Sequence, residues 1–327
     1  MSPTITNKYH KKLRELQESS DHYDLFICSA SFEDRCFALA SSLPHSVFDT
    51  AIICKYCTSV DLSADNISKL NEILSPKCRQ ISFEKDSPLL IYDTLHEVIE
   101  EINPNSVLLD ISTLTRETIL IALMLFRQEV FSDIKLTLAY VPANRYSGGV
   151  NNNIADIWLS RGVNEIRTVL GYSGVFSSLK KTMLIILVGF EMERANILIN
   201  SFEADKLYLG YVPSSESYSE ELSLINNLNF NRLVNLASGC SVFEFSCKDI
   251  KYTNDVLKGI IEANIDKYNI VISPMNNKLS TLAVANVAFD YPEVQVCYAS
   301  TNQYNTDTYS SSADEVFFFD FADIHIR

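Results

Sequence analysis

Nine short runs of near-continuous apolar residues, separated by stretches with helical periodicity, constrain this chain more than any other feature. The runs are DLFICSA (24–30), TAIICKY (50–56), SVLLDIS (106–112), IKLTLAYV (134–141), TMLIILVG (182–189), KLYLGYV (206–212), SVFEFSC (241–247), YNIVIS (268–273) and VQVCYAS (294–300). Strands without polar alternation belong to parallel sheets covered on both faces, and the intervening patterns supply the covering helices. Helices are predicted over 35–43, 67–74, 90–102, 117–130, 194–202, 220–228, 254–265 and 279–289. The fold class that follows is α/β, with two tandem Rossmann-like domains of mainly parallel sheet. A chain of 327 residues exceeds the size of one ordinary core.

The second half repeats the order of the first. An offset of 158 residues places Phe32-Glu33 on Phe190-Glu191, Tyr140 on Tyr298, Asn144 on Asn302, Tyr146 on Tyr304, and Ala155-Asp156 on Ala313-Asp314. One gap brings Arg35 onto Arg194, and four bring Arg116 onto Lys278. The pattern reads as a tandem duplication. It predicts a first unit over 1–176, with an N-terminal helix and a linker, and a second over 177–327. The linker is expected in the Gly- and Ser-interrupted stretch from Trp158 to Lys181.

Charge and cysteine usage narrow the functional classes. A formal net charge of −14 disfavours binding to duplex nucleic acid over a broad surface. The longest apolar run, Met183–Phe190, falls far short of the roughly 20 residues that span a bilayer. The polar opening has no secretion-signal core, so a cytoplasmic protein is expected, and its eight cysteines read as buried reduced thiols. Cys54 and Cys57 form a lone C-x-x-C whose odd spacing on a strand separates the thiols, and the five histidines supply no obvious pair, so no metal or cofactor is expected. Dinucleotide-fold glycine fingerprints, phosphate loops and nucleophile elbows are missing from the sequence.

Ligands of open parallel sheets sit beyond the carboxyl ends of the strands. Asp110-Ile111-Ser112-Thr113-Leu114-Thr115-Arg116 lies at such an end and joins hydroxyls and a guanidinium to a helix start, a combination suited to phosphate. The same residues also read as an ordinary helix cap. Its counterpart is Ser273-Pro274-Met275-Asn276-Asn277-Lys278. Arg35 beside Glu33, and Arg194 beside Glu191, read either as structural pairs or as ligand contacts. Asn144 with Tyr146, and Asn302 with Tyr304, offer a base edge and a stacking face, or pin a turn. Arg161 and Arg167 are further cations within reach of the same rim.

The Asp-x-Ser/Thr strand end, short loop and helix-opening Arg of residues 110–116 resemble the ligand loop of CARF domains, Rossmann-like sensors of cyclic oligoadenylates. Two such units in one chain look like a SAVED-type fusion. Leu114-Thr115 and Asn276-Asn277 stand where that loop usually has Gly-Gly or Gly-Thr. The resemblance implies a sensor of a cyclic oligonucleotide signal in prokaryotic antiviral defence, acting on a separate effector protein. Residues 23–43 are also similar to the opening strand and helix of TIR domains, some of which cleave NAD.

The leading expectation is a binding module whose two units face each other and hold an anionic nucleotide-type small molecule. Arg116 and Lys278 would neutralise phosphate, Ser112, Thr113, Thr115 and Asn276 would supply hydrogen bonds, and Arg35 and Arg194 would assist. The alternatives are a nucleotide-processing enzyme, a phosphodiester or NAD-type hydrolase using Glu33 or Glu191 as acid or base, and a protein-interaction scaffold.

Overall fold

The computed structural model describes residues 3–57, 63–84, 86–146, 158–218, 220–237, 239–306 and 310–323. It is a mixed α/β structure of two compact units, one formed by residues 1–145 with 309–327 and the other by 146–308. In chain order, unit 1 contains β1 (Pro3–Lys12), β2 (Tyr23–Ser29), β3 (Phe48–Cys57), α1 (Ala64–Leu74), β4 (Cys78–Glu84), α2 (Pro88–Ile102), β5 (Ser106–Asp110), α3 (Arg116–Phe126), β6 (Lys135–Tyr140) and β7 (Ala143–Tyr146). Unit 2 continues with β8 (Ser160–Arg161), β9 (Ile166–Ser173), β10 (Lys181–Leu187), α4 (Met192–Phe202), β11 (Lys206–Tyr211), α5 (Glu220–Leu236), β12 (Ser241–Glu244), α6 (Ile250–Glu262), β13 (Tyr268–Pro274), α7 (Lys278–Asp290), β14 (Gln295–Ala299) and β15 (Gln303–Tyr304). The chain then returns to unit 1 as β16 (Ser310–Ser312) and β17 (Glu315–Asp323).

Unit 1 holds a seven-stranded sheet in the order β1-β17-β6-β5-β2-β3-β4, and unit 2 a six-stranded sheet in the order β12-β11-β10-β13-β14-β9. Strands β6, β5, β2, β3 and β4 are parallel, as are β12, β11, β10, β13 and β14. Strand order reverses between β2 and β5 in one sheet and between β10 and β13 in the other, the doubly wound arrangement. The predicted apolar strands lie at these centres because every residue from Met183 to Leu187 and from Leu25 to Cys28 is buried. Helices α3 and α7 are likewise almost wholly buried, which explains why they are apolar on all sides.

The boundary between units differs from a cut near residue 176. β17 pairs antiparallel with β6 from Phe317↔Tyr140 to Phe321↔Leu136, and β9 pairs antiparallel with β14 around Arg167↔Tyr298. Each trailing strand therefore completes the sheet that does not immediately precede it in the chain. The stretch read as a linker contains β8 and β9. The expected N-terminal helix is instead β1, followed by a 3₁₀ turn over Leu13–Glu18. Backbone pairing with β17 decides this, reinforced by buried Ile5, Tyr9 packed on Phe318 at 4.8 Å, and ion pairs from Lys8 to Asp320 and Lys12 to Glu315.

The helix expected over 35–43 reduces to a 3₁₀ turn, Asp34–Phe37, followed by turns. There Ser41 and Ser42 hydroxyls donate back to the carbonyls of Phe37 and Ala38, and Pro44 blocks continuation. All eight cysteines are free of disulfides, Cys54 being buried and Cys57 exposed. Among the described residues, no helix is long and apolar enough to cross a membrane.

Because β17 lies inside its sheet, Phe319→Ala is expected to destabilise unit 1 by about 3–5 kcal/mol, as for other buried aromatic truncations. Urea unfolding followed by amide exchange in β5 and β6 checks this. A loss below about 1 kcal/mol would contradict an interior role for the strand.

Candidate functional site

At the strand ends of unit 1, Arg35 holds the loops together. Its guanidinium donates to Glu33 Oε2 at 3.0 Å and to the carbonyl of Val141 at 3.3 Å, linking the end of β2 to the end of β6. The Arg35 and Glu33 side chains are only 5% and 7% exposed, which excludes solvent from the pair. Ser310, on the returning segment, donates its hydroxyl to the same Glu33 oxygen at 2.5 Å. The buried carboxylate thus accepts from two donors, and the buried guanidinium donates through both of its terminal nitrogens.

Unit 2 builds the same node. Arg194 donates to Glu191 Oε2 at 2.5 Å, to Ser160 Oγ at 3.1 Å and to the carbonyl of Ala299, while Ser160 donates to Glu191. Burial opposes the Arg194 charge, but Glu191, Tyr298 and Tyr304 together hold its pKa above the ordinary arginine value. Arg35 and Arg194, expected as ligand contacts or structural pairs, are each buried and ion-paired to the neighbouring glutamate.

The loop after β5 is consumed by internal bonds in a similar way. Ser112 is buried, donates to Asp110 Oδ1 from both its amide (2.9 Å) and its hydroxyl (2.5 Å), and accepts from the Val141 amide at 2.9 Å. Thr113 donates to the carbonyl of Ser29 at 2.9 Å, which ties the end of β5 to the end of β2 where strand order reverses. Thr115 caps α3 by accepting from the Thr118 amide, and Tyr56 bonds the same pair of threonines.

In unit 2, Asn276 donates to the carbonyl of Val188 at 2.6 Å and accepts from the Cys247 thiol and the Asn277 amide. The loops meet so closely that a Cβ at Gly189 would collide with the carbonyl oxygen of Met275. Ser112, Thr113, Thr115 and Asn276 are therefore held as caps and cross-links between strand ends.

Two of the predicted cations open helices. Arg116 is the first residue of α3 and Lys278 the first residue of α7, and both are partly buried. Each follows a side-chain cap, Thr115 to the Thr118 amide and Asn277 to the Ser280 amide. The helix N-terminus adds partial positive charge to both.

Asn144 is exposed on β7, Asn302 is exposed beside Gly162, and Tyr304 is half-buried on β15. The Tyr146 side chain lies outside the described residues, as do Ala155 and Asp156. Arg161 stacks on Trp158 at 4.2 Å, and Arg167 pairs with Glu165 at 2.5 Å.

Sequence reading missed Ser160 and Ser310, because nothing local joins a serine to a glutamate 31 or 277 residues away. It also missed a surface cluster of His22, Asp24 and Asp49, whose ligand atoms lie within 4.8 Å of one another. Parallel pairing of Tyr23 with Phe48 brings these strand starts together. Asp24 is already engaged, its pKa lowered chiefly by the Asn105 backbone amide.

No protein-family model matches the chain, and no curated protein matches it. Among solved structures, a universal stress protein from Archaeoglobus fulgidus DSM 4304 aligns at 10% identity over 85% of this chain and 96% of its own, with a TM-score of 0.24. A UDP-GlcNAc 2-epimerase from Neisseria meningitidis bound to UDP-GlcNAc aligns at 9% identity over 76% of each chain, also at 0.24. The cytoplasmic domain of a prokaryotic cation chloride cotransporter aligns at 9% identity over 87% of this chain and 98% of its own, again at 0.24. These likenesses do not identify a ligand.

Removing one member of a buried ion pair strands the other charge. Glu33→Ala and Glu191→Ala are each expected to cost about 3–5 kcal/mol in urea unfolding. Ser310→Ala and Ser160→Ala, which remove one charge-assisted bond, are expected to cost about 1.5–3 kcal/mol. Losses below about 1 kcal/mol for the glutamates would mean that the pairs do not hold the strand ends.

Proposed function

We propose that this protein is a binding module for an anionic, nucleotide-type small molecule, with Arg116 as the phosphate contact of unit 1 and Lys278 as that of unit 2. One observation carries the reading. In both units, the helix that follows the strand beside the reversal point opens with a partly buried cation behind a side-chain cap. Such a helix start presents fixed charge and amide donors with little reorganisation. Asn144, Asn302 and Tyr304 are candidates for contacts to a base. The tandem-duplication reading accounts for the paired placement.

The resemblance to CARF and SAVED domains extends the proposal to a cyclic oligonucleotide, a role in antiviral defence and a separate effector protein. The competing enzyme reading draws no support from Glu33 or Glu191, since each carboxylate is buried, ion-paired to arginine and bonded to a serine. A general acid or base needs access to the reacting proton.

Thermal unfolding with a panel of mononucleotides, NAD and cyclic di-, tri- and tetranucleotides, with products followed by chromatography, tests the proposal. At a hundredfold excess over Kd, a true ligand adds about 2.7 kcal/mol, a shift of a few degrees without turnover. Arg116→Ala or Lys278→Ala is expected to weaken that ligand by about tenfold or more. Turnover would favour the hydrolase, and no shift with any member would favour the scaffold.

A further inference from the structure

At the strand-end rim of unit 2, β15 follows β14 and pairs with β8, setting Gln303 opposite Arg161 and Tyr304 opposite Ser160. Opposed residues of such a ladder share a face, and successive residues alternate between faces. One face carries Ser160, buried in the Arg194 node, and Tyr304, which acts on the Arg194 charge. The other carries Arg161 and Gln303, both exposed. The node therefore takes up the Tyr304 side of the ribbon and leaves the Arg161 side to solvent.

Arg161 differs from the other arginines of this unit that are ion-paired. Arg167 and Arg194 each bind a glutamate, whereas among the described residues no carboxylate pairs with Arg161. Its guanidinium is held instead 4.2 Å over the ring of Trp158, the only tryptophan in the chain. The support is itself fixed. Asn305 donates its side-chain amide to the Trp158 carbonyl at 3.1 Å and its backbone amide to the Leu159 carbonyl at 3.0 Å. The Thr301 hydroxyl lies within hydrogen-bond reach of the carbonyls of Arg161 and Gln303, at 3.0 and 3.1 Å. Gly162, at φ +67°, sits so close to Asn302 that a Cβ there would stand 2.8 Å from the amide nitrogen.

From this geometry we infer that the Arg161 guanidinium, laid on Trp158, is the base-stacking platform of unit 2, with the Gln303 amide set to meet the base edge. The inference rests on the nucleotide reading above and deepens it. Lys278 opens the helix after β13 and takes phosphate, while the ribbon after the neighbouring β14 takes the base.

A guanidinium is planar and weakly hydrated, so it can rest one face on an aromatic ring and offer the other to a second flat group. Nucleobases stack on guanidinium planes as they do on aromatic rings. An arginine already held against a ring loses less rotamer freedom when a ligand arrives. A glutamine amide supplies both a donor and an acceptor, as a base edge requires. A bare phosphate needs neither the ring nor the amide, whereas a planar base uses both.

Because Trp158 is the sole tryptophan, intrinsic fluorescence of the full chain reports on this ring alone. Calorimetric titration with mononucleotides and cyclic di-, tri- and tetranucleotides measures affinity independently, and ribose 5-phosphate serves as a probe with phosphate and no base. A nucleotide that binds is expected to change Trp158 emission saturably, with the Kd that calorimetry gives, and ribose 5-phosphate to leave emission level. Arg161→Ala is expected to weaken the nucleotide about tenfold or more and ribose 5-phosphate less than about twofold. Arg161→Lys keeps the charge, loses the plane and should behave like the alanine variant. Nucleotide binding that leaves Trp158 emission unchanged, or wild-type affinity in either Arg161 variant, would overturn this inference and leave the nucleotide reading intact. Equal losses for nucleotide and ribose 5-phosphate would also overturn it, making Arg161 a phosphate contact. Binding of no member of the panel would overturn both readings together.

Discussion

A guanidinium sealed from water demands acceptors for its N–H groups and a negative charge beside it, and that demand organises the strand ends of both units. Arg35 and Arg194 each answer it at their terminal nitrogens, with a glutamate two or three residues away and a carbonyl from the end of the last parallel strand. The glutamates in turn need donors, which come as serines from the trailing segments. Local sequence thus supplies the charge pair, and distant sequence completes it. The cross-links from Thr113 to Ser29 and from Asn276 to Val188 tie further strand ends together in each unit.

The central strands and most helices were legible because burial on both faces leaves an apolar run that few other structures tolerate. The edge strand β4 was not, since CRQISFE alternates buried and exposed residues and lacks that signature. β1 carries lysines on a polar, half-exposed face, as edge strands commonly do, and in isolation this reads as an amphipathic helix. For β17 the difficulty was topological. Phe317 to Phe321 are plainly strand-forming, but nothing in them says that their partner is β6 rather than a neighbour in the chain.

The functional residues divide along a physical line. Sequence pattern identified the polar positions at the strand ends, but it could not say which would be spent on the protein itself. Ser112, Thr113, Thr115 and Asn276 are chemically suited to a ligand and equally suited to capping and stitching, and their depth in the fold assigns them to the second task. Arg116 and Lys278 lie less deep, each partly buried at the first position of its helix. The agreement of Glu33 with Glu191 and Arg35 with Arg194 was visible at a near-constant offset, whereas the serines that complete both nodes fall outside it.

The interior position of β17 has a consequence for biosynthesis. Its partner β6 emerges from the ribosome early, but roughly 160 residues of unit 2 must be translated before β17 appears. At ordinary elongation rates of about 5–20 residues per second, the nascent sheet waits roughly 10–30 s with the flank of β6 unpaired. An open apolar edge of that lifetime is a natural substrate for chaperones and a template for misassembly on crowded polysomes.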